Sequence, residues 1–138
     1  MKIYFAGSIR GGRKNQGFYM RLIEYLGKYG NVLTRHVGDS GITEWGEDGM
    51  SDADIHNRDL SWLKEADIVI AEVSAPSLGV GYELAKAEEM KKRVLCLYRP
   101  QEVKRLSAMI AGSPKLVIKP YESVEDAIRY IDEFFAKP

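Results

Sequence analysis

The stretch DIVIAEVSAPSLGVGYELAKAEEM, residues 67–90, decides the fold. It opens with a β-branched run, Asp67–Val73, passes through a turn with Pro76 and two glycines, and runs into a helical pattern that starts near Gly81. A strand that is apolar without alternation has to be covered on both faces, as in a parallel sheet whose crossovers are helices. The same grammar extends outward in both directions. Lys2–Ala6, Asn31–Arg35, Arg93–Tyr98 and Lys115–Ile118 read as four further strands. Between them, Gly17 to about Tyr29 carries an apolar stripe that stops at Gly30, and Ser51 with Asp54 resembles a capping box ahead of Ile55, Leu60 and Leu63. Val103–Ala111 and Ser123–Phe135 complete the helices, the last with Ser123 as N-cap. The expectation is one α/β domain over residues 1–138. Its core is a doubly wound five-stranded parallel sheet, flavodoxin-like or Rossmann-like, with helices on both faces and strand order 2-1-3-4-5.

Composition narrows the partners. Twenty Lys and Arg balance twenty Asp and Glu in 138 residues, so no net field draws the chain to a nucleic-acid polymer or an anionic membrane. No apolar run approaches the roughly 20 residues that span a bilayer, and the first residues lack the pattern of a signal peptide, so a cytoplasmic location is expected. One cysteine and two distant histidines make neither a disulfide nor a zinc set.

In a doubly wound sheet, ligands bind beyond the carboxyl ends of the strands, so the residues just after each strand carry the chemistry. After the first strand comes Gly7-Ser8-Ile9-Arg10-Gly11-Gly12-Arg13. Three glycines admit backbone N–H groups close to an anion, and two guanidinium groups add forked donors, which suits a monophosphate; the alternative is a flexible turn with solvated arginines. Neither the Walker spacing nor G-x-G-x-x-G is present. After the third strand, Glu83 falls in what reads as a first helical turn, held ionised by the helix dipole either as a cap partner of Ser77 or Gly79 or as a nucleophile. Asp52, His56 and Asp59 share one helical face. Asp59 either sits at the solvent edge beside Lys64 or Arg58 or points into the crevice, where it could pair with Glu83 for glycosidic cleavage. His36 closes the second strand as a donor or a surface residue. Cys96 and Trp62 read as core, Arg99 as either crevice or surface, and Leu106–Ile110 as a subunit contact or a packed helix. The irregular stretch from His36 to about Met50, with four glycines, reads as a functional loop.

Taken together, Tyr4–Arg13, Leu33–Val37, Pro76–Leu84 and Leu106–Ile110 resemble, in order and spacing, the 2′-deoxynucleoside 5′-phosphate N-hydrolases of the nucleoside deoxyribosyltransferase superfamily. The resemblance spans nearly the whole chain, and its most specific part is the run from Ser77 to Glu83. It implies hydrolysis of the N-glycosidic bond of a deoxynucleoside monophosphate by a homodimer, with no metal and no cofactor. By that match Glu83 is the nucleophile on C1′, Asp59 positions it and shares proton transfer, and Tyr4 and His36 line the sugar and base. Arg10, Ser77 and the neighbouring subunit's Ser107 hold the 5′-phosphate. Gly7, Ser8, Ile9, Gly11, Gly12 and Arg13 form the surrounding loop, and Gly79 and Met109 join the substrate side. Ala6 departs from the cysteine associated with that strand end, and residues from Asp39 to Met50 do not align. The carboxyl groups of Glu83 and Asp59 are expected near the roughly 5 Å of retaining glycoside hydrolysis. Three alternatives stand beside this reading. A deoxyribosyltransferase would pass the sugar to a second base, a ribonucleotide phosphoribohydrolase should carry a Pro-Gly-Gly-x-Gly-Thr pattern absent here, and a nucleotide-binding module would release no base.

Overall fold

A computed structural model describes residues 1–9, 15–38 and 49–138. Five strands, β1 (Lys2–Ala6), β2 (Asn31–Val32), β3 (Ile68–Glu72), β4 (Arg93–Tyr98) and β5 (Leu116–Pro120), form one parallel sheet in the order β2-β1-β3-β4-β5. Among the described residues, five α-helices connect or follow them: α1 (Gln16–Leu26), α2 (Asp52–Glu65), α3 (Leu78–Glu89), α4 (Ala108–Ala111) and α5 (Val124–Ala136). The expected class and strand order are those observed.

Strand residues alternate between two cores. Ile3, Phe5, Ile68, Ile70, Leu95 and Leu97 pack with α1 and α5 on one face. Tyr4, Ala6, Val69, Ala71, Val94 and Cys96 pack with Leu63 and Ala66, at the end of α2, and with Val80, Leu84 and Ala87 of α3 on the other. Burial on both sides explains why β1, β3 and β4 show no polar alternation, whereas the edge strands β2 and β5 are partly exposed. The chain order reverses between β1 and β3, so the crevice beyond their ends is the switch point where ligands bind.

Several boundaries differ from the sequence expectation, each for a local reason. The second strand stops at Val32, because Thr34 leaves the ladder and its hydroxyl both accepts from the Phe5 N–H (2.8 Å) and donates to the Phe5 carbonyl (2.7 Å). The chain then coils into a 3₁₀ turn over Arg35–Gly38, which carries His36. α1 ends at Leu26, and Gly27 follows as its C-cap. α4 is a single turn: the Ser107 hydroxyl accepts from the Met109 N–H, while Glu102 and Val103 fold back on the Arg99 carbonyl instead of starting a helix. α3 starts at Leu78, not near Gly81, because the Ser77 hydroxyl caps the Val80 N–H at 3.2 Å.

Candidate active site

That earlier start changes the environment of Glu83. It stands in the second turn of α3, beyond the short reach of the helix dipole, and Ser77 already has its capping partner in Val80. The expectation of a first-turn carboxylate held ionised, or of a cap partner, is therefore corrected. Glu83 instead turns toward the centre of β1, its carboxylate facing the hydroxyl of fully buried Tyr4. Burial pushes the Glu83 carboxyl up from 4.5 to about 7; the Tyr4 hydrogen bond opposes the rise, and the negative charge of Asp59 adds to it. Tyr4 is raised beyond the range in which it could ionise, first by burial and then by the charges of Glu83 and Asp59, with Arg58 acting against them. Its phenol therefore remains a donor. Gly79 leaves the approach open, since a Cβ there would come to 4.0 Å from Glu83 Oε1.

Asp59 reaches this site from the third turn of α2, on the same sheet face. It is partly buried and accepts from Arg58 Nε at 3.0 Å, with Arg58 Nη2 also 3.0 Å from its Oδ1. Arg58 is a hub that sequence reading noted only as a neighbour of Asp59. Its guanidinium lies 4.7 Å from the Trp62 ring centroid and 3.2 Å from His36 Nε2, and the His36 and Trp62 rings are 5.7 Å apart. The i, i+4 spacing of Arg58 and Trp62 on an amphipathic helix was the available signal. His56 sits at the rim with its Nε2 3.2 Å from the Tyr82 hydroxyl. Asp52, on the same helical face, is exposed.

At the end of β1, Gly7 approaches the Tyr19 ring so closely that a Cβ would lie 3.0 Å from it, and the Ser8 N–H donates to the Tyr19 hydroxyl at 3.1 Å. The Ser8 hydroxyl is buried and, among the described residues, is the one buried side-chain polar atom with no hydrogen-bond partner. Ile9 packs partly against the α1 side of the core. Arg10, Gly11, Gly12 and Arg13, and the loop expected between His36 and Met50 over residues 39–48, lie outside the described residues. Ser77, Ser107 and Met109 line one cavity of about 620 Å³ between the start of α3 and α4. Cys96 is buried inside β4, with its thiol pushed up to about 12 by burial first and Glu88 second. Among the described residues, no group of three or more His, Cys, Asp or Glu side chains is arranged to hold a metal ion, and no helix is long and apolar enough to cross a membrane.

Fold and site together define a doubly wound α/β protein with a half-buried glutamate, a phenol and a second carboxylate at its switch point. Residues 3–118 match the nucleoside 2-deoxyribosyltransferase family model, and the chain belongs to that family. It is 55% identical over 115 residues to the 5-hydroxymethyl-dUMP N-hydrolase of Esox lucius, covering 82% of this chain and 79% of that one. It is 49% identical over 136 residues to the putative 2′-deoxynucleoside 5′-phosphate N-hydrolase 1 of Trichoplax adhaerens, covering 96% and 92%. Among solved structures, the CMP N-glycosidase BcmB of Clostridium botulinum shares the fold with a TM-score of 0.66 at 18% identity, covering 96% of this chain and 99% of that one.

Proposed function

We propose that this protein is an N-glycosidase that hydrolyses 2′-deoxyribonucleoside 5′-monophosphates to free base and 2-deoxyribose 5-phosphate, through a covalent glycosyl-enzyme on Glu83. The observation that carries the reading is Glu83 itself, half-buried, facing the Tyr4 hydroxyl and close enough to Asp59 to feel its charge. The names of the similar N-hydrolases supply the substrate class. A Glu83 carboxylate oxygen attacks C1′ as the C1′–N bond breaks; the bonding pair leaves with the base, which takes up a proton from water. Water then cleaves the ester, restoring the carboxylate, and Asp59 receives the proton that this second step releases and returns it to solvent, so that the cycle consumes one water and leaves both carboxylates as they began. A deoxyribosyl centre suits the route because it lacks the electron-withdrawing 2′-hydroxyl and so forms an oxocarbenium-like transition state more readily.

Ser77, Arg10 and the residues from Gly7 to Arg13 hold the 5′-phosphate in this reading, and the buried, unpartnered Ser8 hydroxyl is a polar atom that a ligand would satisfy. His36 lines the base side together with Arg58 and Trp62. A homodimer completes the site: Leu78, Tyr82 and Met109 are large exposed apolar side chains around α3 and α4, and covering them by a second copy would bring that copy's Ser107 to the phosphate. The cytoplasm remains the proposed location.

The test is to incubate the protein with deoxy- and ribonucleosides and their monophosphates, with and without an added free base, and to separate the products by chromatography. 5-Hydroxymethyl-dUMP belongs in the panel. Base release from deoxynucleoside monophosphates that is independent of added base is the expected result. Transfer to the added base would replace the hydrolase by a transferase, and saturable binding with no base released would leave a nucleotide-binding module.

A further inference from the structure

On the sheet face opposite Glu83, the carboxyl ends of β3, β4 and β5 enclose a buried ion pair. The guanidinium of Arg99, just past β4, and the carboxylate of Glu72, the last residue of β3, are 4% and 0% exposed, with Arg99 Nη1 3.5 Å from Glu72 Oε2. Every side of the pair is occupied. Glu72 accepts from the Ser74 N–H (2.7 Å), the Ser74 hydroxyl (2.9 Å) and the Tyr121 hydroxyl. Arg99 Nη1 donates to the Tyr121 hydroxyl at 3.3 Å, Nη2 donates to the side-chain carbonyl of Asn15, and the guanidinium lies 3.9 Å from the Phe18 ring centroid. The Arg99 N–H also donates to the Ser74 hydroxyl at 2.9 Å, and Glu102 lies 3.6 Å from Nη2.

A buried pair of this kind adds little to stability compared with apolar packing, because desolvating two ions offsets their attraction. What it provides is a fixed geometry. Here the groups it fixes are the residues that bound the two connections at the switch point: Asn15 closes the segment between β1 and α1, and Ser74 opens the segment between β3 and α3. The first connection carries Ser8 and the second carries Ser77. Only a forked, planar cation can hold Glu72 and Tyr121 through one nitrogen and Asn15 through the other.

We infer that Arg99 is a positioning residue for phosphate recognition, clamping the ends of the β1–α1 and β3–α3 connections to the sheet so that both present their phosphate-holding residues in register. The inference rests on the monophosphate reading given above. Arg99 touches no reacting atom; it acts through Asn15 and Ser74.

The experiment compares Arg99→Lys, which keeps a cation beside Glu72 but cannot also hold Asn15, with Asn15→Ala, which removes the one contact, and Asn15→Asp, which restores an acceptor. KM and kcat are measured for a deoxynucleoside monophosphate and for the same deoxynucleoside without phosphate. The expected result is a KM for the monophosphate raised about tenfold in Arg99→Lys and Asn15→Ala, with kcat changed less than about threefold, the unphosphorylated substrate unaffected and Asn15→Asp near wild type. Equal losses on both substrates, or an unchanged preference for phosphate in Asn15→Ala, overturn the inference. Should Arg99→Lys fail to fold, Asn15→Ala decides alone. A wild type that shows no preference for monophosphates overturns the underlying reading instead, and is recognised before any variant is made.

Discussion

Glu83→Gln tests the electrostatic account of the site separately from its chemistry. The substitution keeps the shape of the side chain and an oxygen to accept the Tyr4 hydroxyl while removing the charge. In the folded protein burial raises the Glu83 carboxyl from 4.5 to about 7, so the folded state binds this proton more tightly than the unfolded state does. The sign follows: the contribution to stability is present in full below about pH 4.5 and is lost as pH rises through about 7. At about 1.36 kcal/mol per pH unit, the interval from 4.5 to about 7 corresponds to about 3 kcal/mol, and partial access of solvent to Glu83 reduces this to roughly 1–3 kcal/mol. Glu83→Gln should therefore match wild type in urea or thermal unfolding at pH 4.5 and exceed it by about 1–3 kcal/mol at pH 8.5. It should release no base at either pH. A gain of the same size at both pH values, or a loss at pH 8.5, refutes the claim that the ionised carboxylate is held at a cost.

Four further outcomes follow from the site and its surroundings. The rate of base release should rise with pH through about 7, as the nucleophile becomes ionised, and a rate limb confined to the ordinary carboxylate range would contradict this. Tyr4→Phe removes the donor that opposes the rise, so that limb should move upward, with about a tenfold loss at pH 7 that recovers toward pH 9 in a pH–rate profile. Ser77→Ala should lose about 1 kcal/mol of stability with the α3 cap and raise KM for monophosphates more than for nucleosides, measured by unfolding and steady-state kinetics. Met109→Asp, at a side chain 83% exposed, should leave the chain folded while converting the proposed dimer to a monomer in sedimentation, and activity should fall with it.

Much of the fold was legible because burial on both faces writes itself into the strands. Lys2–Ala6 and Arg93–Tyr98 keep their sequence-read boundaries, and Ser51 and Ser123 cap where expected. What escaped were the places where one side chain redirects the backbone: Thr34 ending β2, Ser77 starting α3 early, and Ser107 shortening α4. Of the site, the convergence of Tyr4, Asp59 and Glu83 was legible only through resemblance, since no spacing says that a mid-strand tyrosine meets a residue eighty positions later. The Arg58 hub left only the i, i+4 spacing to Trp62 as a signal, and the Glu72–Arg99 pair left none, because a charge next to an apolar run reads equally well as surface. Only the three-dimensional arrangement shows that Arg99 is buried and fully engaged.

The charge arrangement also bears on why Glu83, and not Asp59, is the carboxylate proposed to attack. The site holds two carboxylates, and Arg58 is committed to Asp59 by paired contacts at 3.0 Å. Among the described residues no cation is within ion-pair distance of Glu83, whose ionised form has only the Tyr4 hydroxyl to offset burial and the nearby negative charge. A ground state that leaves a carboxylate under-compensated is improved by anything positive placed against it. The developing oxocarbenium centre at C1′ is such a charge, whereas the uncharged anomeric carbon of the bound substrate is not, so the interaction strengthens between ground state and transition state. The raised carboxyl and the proposed nucleophilic role are then two expressions of one arrangement. A cation beside Glu83 would bring its carboxyl back toward 4.5 and, by the same amount, remove its preference for the transition state.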